Sequence, residues 1–298
     1  MAIKLAFSTV ACPDWTMEKV VEQAKQIGYA GVEIRTLGAG GSGLSSDPAL
    51  STASKTANLF EQSGIEPVCL STSLAVHHRQ STPAHQAAVQ LGRDLELAAA
   101  LGCRYLRIFG NEVEPGQNRR TVIQRIAARA KALADQAAQH GVQILFENAG
   151  SFNHAKEWWW LLNILDHPMV GMCWNVANAA AAGEPPTVSV PTLHSRIRLA
   201  KVKDINVGEG TGFVPLGDGT VGIELFVKRL LGVGFDGFVT VEWDRLWLPT
   251  LESPEEYLPD AYQRLRGWID AIDELAEKGR QAAERAAKKN APKPAAAV

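Results

Sequence analysis

The sequence predicts a single (β/α)8 barrel, eight parallel strands ringed by outer helices, and three observations carry that expectation. Short strand-like runs alternate with amphipathic helical runs along most of the chain. Helical runs repeatedly end at a glycine that leads into the next strand, as in IGYAG, SGIEP, LGC, HGV and VGFDG. Glycine supplies the left-handed residue that closes a helix, so the punctuation has a mechanism. No glycine-rich dinucleotide loop follows the first strand, which argues against a doubly wound open sheet. Asp14 and Thr16, after FSTVACPDW, suggest a helix cap there instead.

Taken in order, IKLAFSTV (3–10) is followed by a helical run near 16–27, and AGVEIR (30–35) by one near 48–63. EPVCLSTS (66–73) precedes 83–101, CRYLRIF (103–109) precedes 119–140, and VQILFE (142–147) precedes 155–165. VGMCWNV (170–176) leads to 187–195, IRLAKVKD (197–204) to 222–232, and GFVTVEW (237–243) to a last helix at 257–276. The barrel domain is thus expected over 1–276. From Glu277 to Val298 the chain becomes Ala-rich and basic, with little to bury, and reads as a frayed or disordered tail.

Composition excludes several classes. The chain has 298 residues, 46% hydrophobic and 21% charged, which provides for a large core and is unlike a disordered segment. Its net charge of -2 gives no pull toward nucleic acid or an anionic membrane. No apolar run reaches the roughly 18 residues of a membrane span. Cys12, Cys69, Cys103 and Cys173 are scattered without a CxxC, and Cys69, Cys103 and Cys173 lie in or beside apolar stretches, as expected for reduced, buried thiols. MAIKLAFSTVAC reads as a first strand rather than a secretory signal, so the expected location is the cytoplasm.

A barrel builds its chemistry at the C-terminal ends of its strands. Here those ends carry Glu33 and Arg35, Ser71 to Ser73 with His77 and His78 beyond, and Arg107 with Asn111. Glu147 and Asn148, Trp174 and Asn175, Lys201, Lys203 and Asp204, and finally Glu242, Trp243 and Asp244 complete the set. One such charge reads as a structural ion pair. A ring of them at one end points to a functional site, because burying unpaired charge is costly.

The segments GYAGVEIR, ILFENAGSF, VGMCWNVAN, IRLAKVKDIN, VPLGDGTV and FDGFVTVEWDRLW resemble the xylose-isomerase-like sugar phosphate isomerase/epimerase family over roughly 3–270. That family shares its barrel with inosose isomerases and dehydratases, ketose epimerases and endonuclease IV. The resemblance implies a divalent ion, often manganese, zinc or magnesium, held by Glu, Asp, His and Glu at four strand ends. It also implies that the two glutamates flank the substrate as acid and base.

Carried onto this chain, the glutamates fall on Glu147 and Glu242, while the aspartate falls on Asn175 and the histidine on Lys201. Lys203 and Asp204 keep the remainder of the His-x-Lys-Asp pattern. A protonated lysine has no lone pair to give a metal, and an amide is a poor exchange for a carboxylate toward zinc or manganese. The expectation is therefore no cofactor, with Lys201 placing its ammonium where the ion would sit. A divalent ion is the alternative if the four positions retain a site.

The leading functional reading is proton transfer on a sugar, keto-sugar or polyol, with Glu147 and Glu242 as the acid–base pair. Lys201 would stabilise the enediolate oxygen. Asn175, Lys203, Asp204, Arg35, Arg107, Trp174 and His77 are the candidate substrate contacts. Two other readings stand beside it. One is a Schiff-base lyase using Lys201 or Lys203; the other is an inactive sugar-binding or partner barrel. The expected partner is a small sugar derivative, not nucleic acid or membrane, and the family resemblance is compatible with a homo-oligomer.

Overall fold

A computed structural model of the chain describes residues 3–38, 43–208 and 212–290. The first half runs β1 (Lys4–Ser8), α1 (Met17–Ile27), β2 (Gly31–Arg35), α2 (Ala53–Ser63), β3 (Glu66–Ala75), α3 (Ser81–Ala100), β4 (Tyr105–Phe109) and α4 (Arg119–His140). There follow β5 (Gln143–Glu147), α5 (Ala155–Leu165), β6 (Val170–Asn175), α6 (Val176–Ala181), α7 (Pro186–Leu193) and β7 (Ile197–Val202). The chain ends with β8 (Asp204–Ile205), β9 (Phe213–Val214), α8 (Ile223–Gly232), β10 (Phe238–Val241) and α9 (Pro254–Asn290).

The strands close in the order β1-β10-β7-β6-β5-β4-β3-β2, every pair parallel, with β1 joined to β10 from Lys4↔Phe238 to Phe7↔Val241. This is the predicted (β/α)8 barrel. Local chemistry sets its boundaries. The Thr16 side chain caps α1 by accepting from the Lys19 amide, and Gly28 closes that helix at φ 108°. Asn118 and Gly141 do the same for α4. On α1, Val20, Val21 and Ala24 fall on one face and are buried against the barrel.

Three features depart from the expected plan. The short helix α6 begins directly after Asn175, β8 and β9 form an antiparallel hairpin beyond β7, and β3 runs on to Ala75. The final helix continues past the composition change at Glu277 as far as Asn290, and residues 291–298 of the tail lie outside the described residues. No helix among the described residues is long and apolar enough to cross a membrane. The four cysteines are free and buried.

The core has two parts. A large cluster fills the shell between strands and helices, and it includes Phe7, Ile34, Phe146, Trp158, Trp174 and Phe226. A smaller one, containing Ala6, Cys69, Tyr105, Leu145, Cys173, Leu199 and Phe238, fills the barrel itself. Successive side chains on a strand point to opposite faces. Two residues after each of these seven, the next inward position is polar: Ser8, Ser71, Arg107, Glu147, Asn175, Lys201 and Thr240. Alternation alone stacks a polar layer on an apolar plug at the C-terminal end.

Candidate active site

That polar layer is centred on the Lys201 ammonium. Its Nζ lies 2.7 Å from Glu242 Oε1, 3.1 Å from Glu33 Oε1 and 3.3 Å from Glu147 Oε2. The residue is fully buried. Burial disfavours its charge, yet Glu147, Glu242 and Glu33 together raise its pKa well above the ordinary lysine value. Glu33 is fixed in turn, accepting from Ser71 Oγ at 2.7 Å and Ser8 Oγ at 3.3 Å.

Asn175 bridges the two strand-end glutamates. Its Nδ2 donates to Glu147 Oε1 at 3.0 Å and to Glu242 Oε2 at 2.9 Å. Its Oδ1 accepts from the Asn178 amide and so caps α6. The cap orients the amide, because an oxygen facing two carboxylates would be repelled. Asn148 clamps the same residue, accepting from the Asn175 amide at 2.7 Å and donating to its carbonyl at 2.9 Å.

Arg107 Nε lies 3.0 Å from Glu147 Oε2, and its Nη1 donates to the Thr72 carbonyl. On the other side, Lys203 Nζ is 3.2 Å from Glu242 Oε2 and 2.9 Å from Asp244 Oδ2. The set thus holds four carboxylates (Glu33, Glu147, Glu242, Asp244) against three cations. Their environments push the acids apart. Burial raises the Glu242 pKa, but Lys201 and Lys203 outweigh it and hold this carboxyl well below the usual range. Burial and the neighbouring Glu242 charge push Asp244 above its usual value. Unequal acids side by side are the raw material of proton transfer.

The structure thus brings Glu147, Asn175, Lys201, Lys203, Arg107 and Glu242 together, and it gives the other four candidates different surroundings. Trp174 sits on the outward face of β6, buried in the shell between barrel and helices. Alternation puts it opposite Asn175. Asp204 accepts from the backbone amides of Ile205, Gly217, Gly219 and Val221, so it anchors the loop after β9 and has no capacity left for a substrate. Gly219 is required there, since a Cβ would sit 2.3 Å from Asp204 Oδ1. Arg35 spends its guanidinium on the Thr36 and Ser71 carbonyls, both at 2.8 Å, and on Ser73 Oγ. Burial, with Arg107 beside it, pulls its pKa down to about 10. His77 lies in the loop after β3 with its ring against His78.

The Asp204 anchor makes a direct prediction. Asp204→Ala strands four amide donors, and hydrogen bonds to a charged acceptor contribute about 1.5–3 kcal/mol each. With partial rescue by water, a loss of about 3 kcal/mol is expected in urea unfolding. A loss below about 0.5 kcal/mol would refute the anchoring role.

Glu33, Ser71 and Asp244, which the sequence places at strand ends without an individual role, belong to the cluster, and Ser8 joins them. For Glu33 the signal was present: a carboxylate at an inward position of an otherwise apolar strand needs a cation.

A closed parallel barrel with its charged side chains gathered at the strand ends is the arrangement in which (β/α)8 proteins place their active sites. The chain matches the xylose isomerase-like TIM barrel family over residues 21–272, and it belongs to that family. Among solved structures it is similar to an L-ribulose 3-epimerase, with TM-score 0.78 and 14% identity over 93% of this chain and 97% of that one. It is also similar to a D-allulose 3-epimerase from Methylomonas sp. in complex with D-allulose, with TM-score 0.72 and 18% identity over 89% and 97% of the two chains. A probable 3-DHS dehydratase from Bacillus anthracis gives TM-score 0.74 and 17% identity over 89% and 99%. No curated protein matches the sequence.

Proposed function

We propose that this barrel catalyses proton transfer next to the carbonyl of a polyhydroxylated substrate, a keto-sugar or related compound, without a divalent ion in the mouth. The observation that supports it most is the Lys201 ammonium within 3.3 Å of Glu33, Glu147 and Glu242. The four family positions do not fit a metal. One of them supplies a fixed positive charge with no lone pair, and another turns an amide N–H toward both glutamates.

Lys201 donates to Glu147 and Glu242, pairs with Glu33 at 3.1 Å and is fully buried, so a substrate oxygen has no access to its ammonium. It acts through the glutamates as a positioning residue. The oxyanion role expected of Lys201 passes to Lys203, whose side chain is 14% exposed while that of Lys201 is 0% exposed. A developing enediolate oxygen draws Lys203 from Glu242 Oε2, and the released oxygen is then free to take or return the α-proton. Glu147 serves the opposite face of the carbon. Asp244 holds Lys203 from its far side, accepting from the ammonium at 2.9 Å.

A Schiff-base mechanism needs a neutral amine. Burial lowers the pKa of Lys203 as it does that of Lys201, but Glu242 and Asp244 outweigh it, and both ammonium forms are favoured. The epimerase and dehydratase relatives support the substrate class, since both reactions can begin by removing a proton beside a carbonyl.

The test is exchange of the α-proton in deuterated water, followed by proton NMR with a panel of ketopentoses, ketohexoses and cyclic keto-polyols. Exchange is expected to persist in chelator and to fall at least a hundredfold in Glu147→Gln and in Glu242→Gln. Measurable binding without any exchange would replace this reading with a binding barrel. Exchange that stops in chelator and returns with manganese would overturn the metal-free site.

A further inference from the structure

We propose a second, separate site: His77, His78 and Glu114 form a divalent transition-metal centre on the rim of the barrel. His77 and His78 lie in the loop between β3 and α3, and Glu114 in the loop between β4 and α4. Each residue offers one ligand atom, and these atoms lie within 4.8 Å of one another. Neighbouring donors on tetrahedral zinc are about 3.4 Å apart, given Zn–N and Zn–O bonds of about 2.0–2.2 Å. On binding, the three side chains would draw together around the ion to reach that spacing.

Two further observations point to a ligand. His77 is 8% exposed, and its Nδ1 is enclosed without a hydrogen-bond partner. A buried imidazole nitrogen left unpaired is uncommon, and an ion would satisfy it. The surroundings also resemble the support that holds metal ligands in place. Gln117 Nε2 donates to Glu114 Oε2, and Gln117 Oε1 accepts from Arg125 Nη1 at 2.9 Å. The same Arg125 nitrogen donates to the His77 carbonyl at 2.9 Å, and Arg129 donates to the Val76 carbonyl at 2.7 Å. Helix α4 therefore grips both loops from below.

Two imidazoles and one carboxylate select a borderline ion such as zinc or cobalt over magnesium or calcium, which favour all-oxygen sites. Three protein ligands leave a coordination position open for water or a ligand oxygen. None of Glu147, Asn175, Lys201 or Glu242 takes part, so this site stands or falls independently of the proposed reaction.

The experiment is zinc titration of the metal-stripped full chain against a chromogenic chelator, paired with the visible spectrum of the cobalt-loaded protein. One equivalent per chain is expected, with four-coordinate cobalt bands. His78→Ala and the near-isosteric Glu114→Gln should each weaken binding at least tenfold, and His85→Ala on α3 should leave it unchanged. Glu114→Gln keeps the test valid should His78→Ala fail to fold. Absence of stoichiometric binding, or binding equally tight in both variants, overturns the proposal. So does an equivalent lost only on Glu147→Gln, which would place the ion in the mouth.

Discussion

Replacing Lys201 by methionine should destabilise the protein by about 3–5 kcal/mol at pH 7 and reverse the sign of its pH dependence. Methionine preserves much of the side-chain volume, so the loss is electrostatic. Glu33, Glu147 and Glu242 then face one another in a buried layer without the ammonium that links them. Removing one partner of a buried ion cluster typically costs this much, because the remaining charges stay desolvated and unpaired. The pH dependence follows from linkage. In the parent, the Glu242 pKa lies below its unfolded value, so its contribution is present above about pH 4.5 and is lost as pH falls. The Lys201 pKa is raised, so its contribution is present below about pH 10 and is lost as pH climbs through the folded value. The parent should therefore show a broad plateau between about pH 5 and 10. In Lys201→Met, one of the three glutamates gains a folded pKa above its unfolded value, and the folded state binds the extra proton. Its stability should rise as pH falls from 7 toward 5, opposite in direction to the parent near its acid limb. Urea midpoints from pH 7 down through the parent's acid limb below about pH 4.5 measure both. Equal stability at pH 7 with an unchanged slope would show that Lys201 does not hold the cluster together.

The sequence carried the barrel because its signals are local. Strand alternation, glycine punctuation and helix caps each act within a few residues, and each acts that way in the structure, as at Gly28, Gly141 and Thr16. Alternation also carries the convergence of Glu147, Asn175, Lys201 and Arg107, which are the inward residues following an apolar layer. Elsewhere the deciding partner is remote, or the side chain faces away from its neighbour at the strand end. Trp174 is one residue from Asn175 and must face the other way, so its place at a strand end meant burial outside the barrel. Asp204 has its amide partners in the loop at 217–221, whose path no local pattern reveals. Glu33 meets Lys201 across the barrel, and only closure of β1 onto β10 brings their strands into one ring. Helix α6 is six residues long, and its N-cap, Asn175, is also a residue of the charged site, so one side chain carries both signals.

The combined change Asn175→Asp with Lys201→His should create divalent binding in the mouth. Each half alone should fail. Asn175→Asp turns an amide N–H that serves Glu147 and Glu242 into a third negative group, leaving an ammonium beside the donors a metal needs. Two positive centres a few ångströms apart in a low-dielectric pocket repel strongly. Lys201→His alone removes the cation but leaves an amide nitrogen aimed at both glutamates, a neutral group with little affinity for zinc or manganese. Together they supply three carboxylates and one imidazole, a set in which a divalent ion restores the charge that the ammonium carried. The aspartate can still cap α6 through one oxygen, and Asn148 still clamps the backbone at 175, so the new ligand starts in place. Glu33 keeps the Ser8 and Ser71 hydroxyls when the ammonium leaves. Manganese is the ion to use, measured by calorimetry in a His78→Ala background so that the rim site does not contribute. Affinity should increase at least a hundredfold over the same background with Asn175 and Lys201 intact, equivalent to about 2.7 kcal/mol. Thermal midpoints should rise with manganese in the double change and in neither single one. Manganese bound equally well before and after the double change would mean that Lys201 never stood in the ion's place.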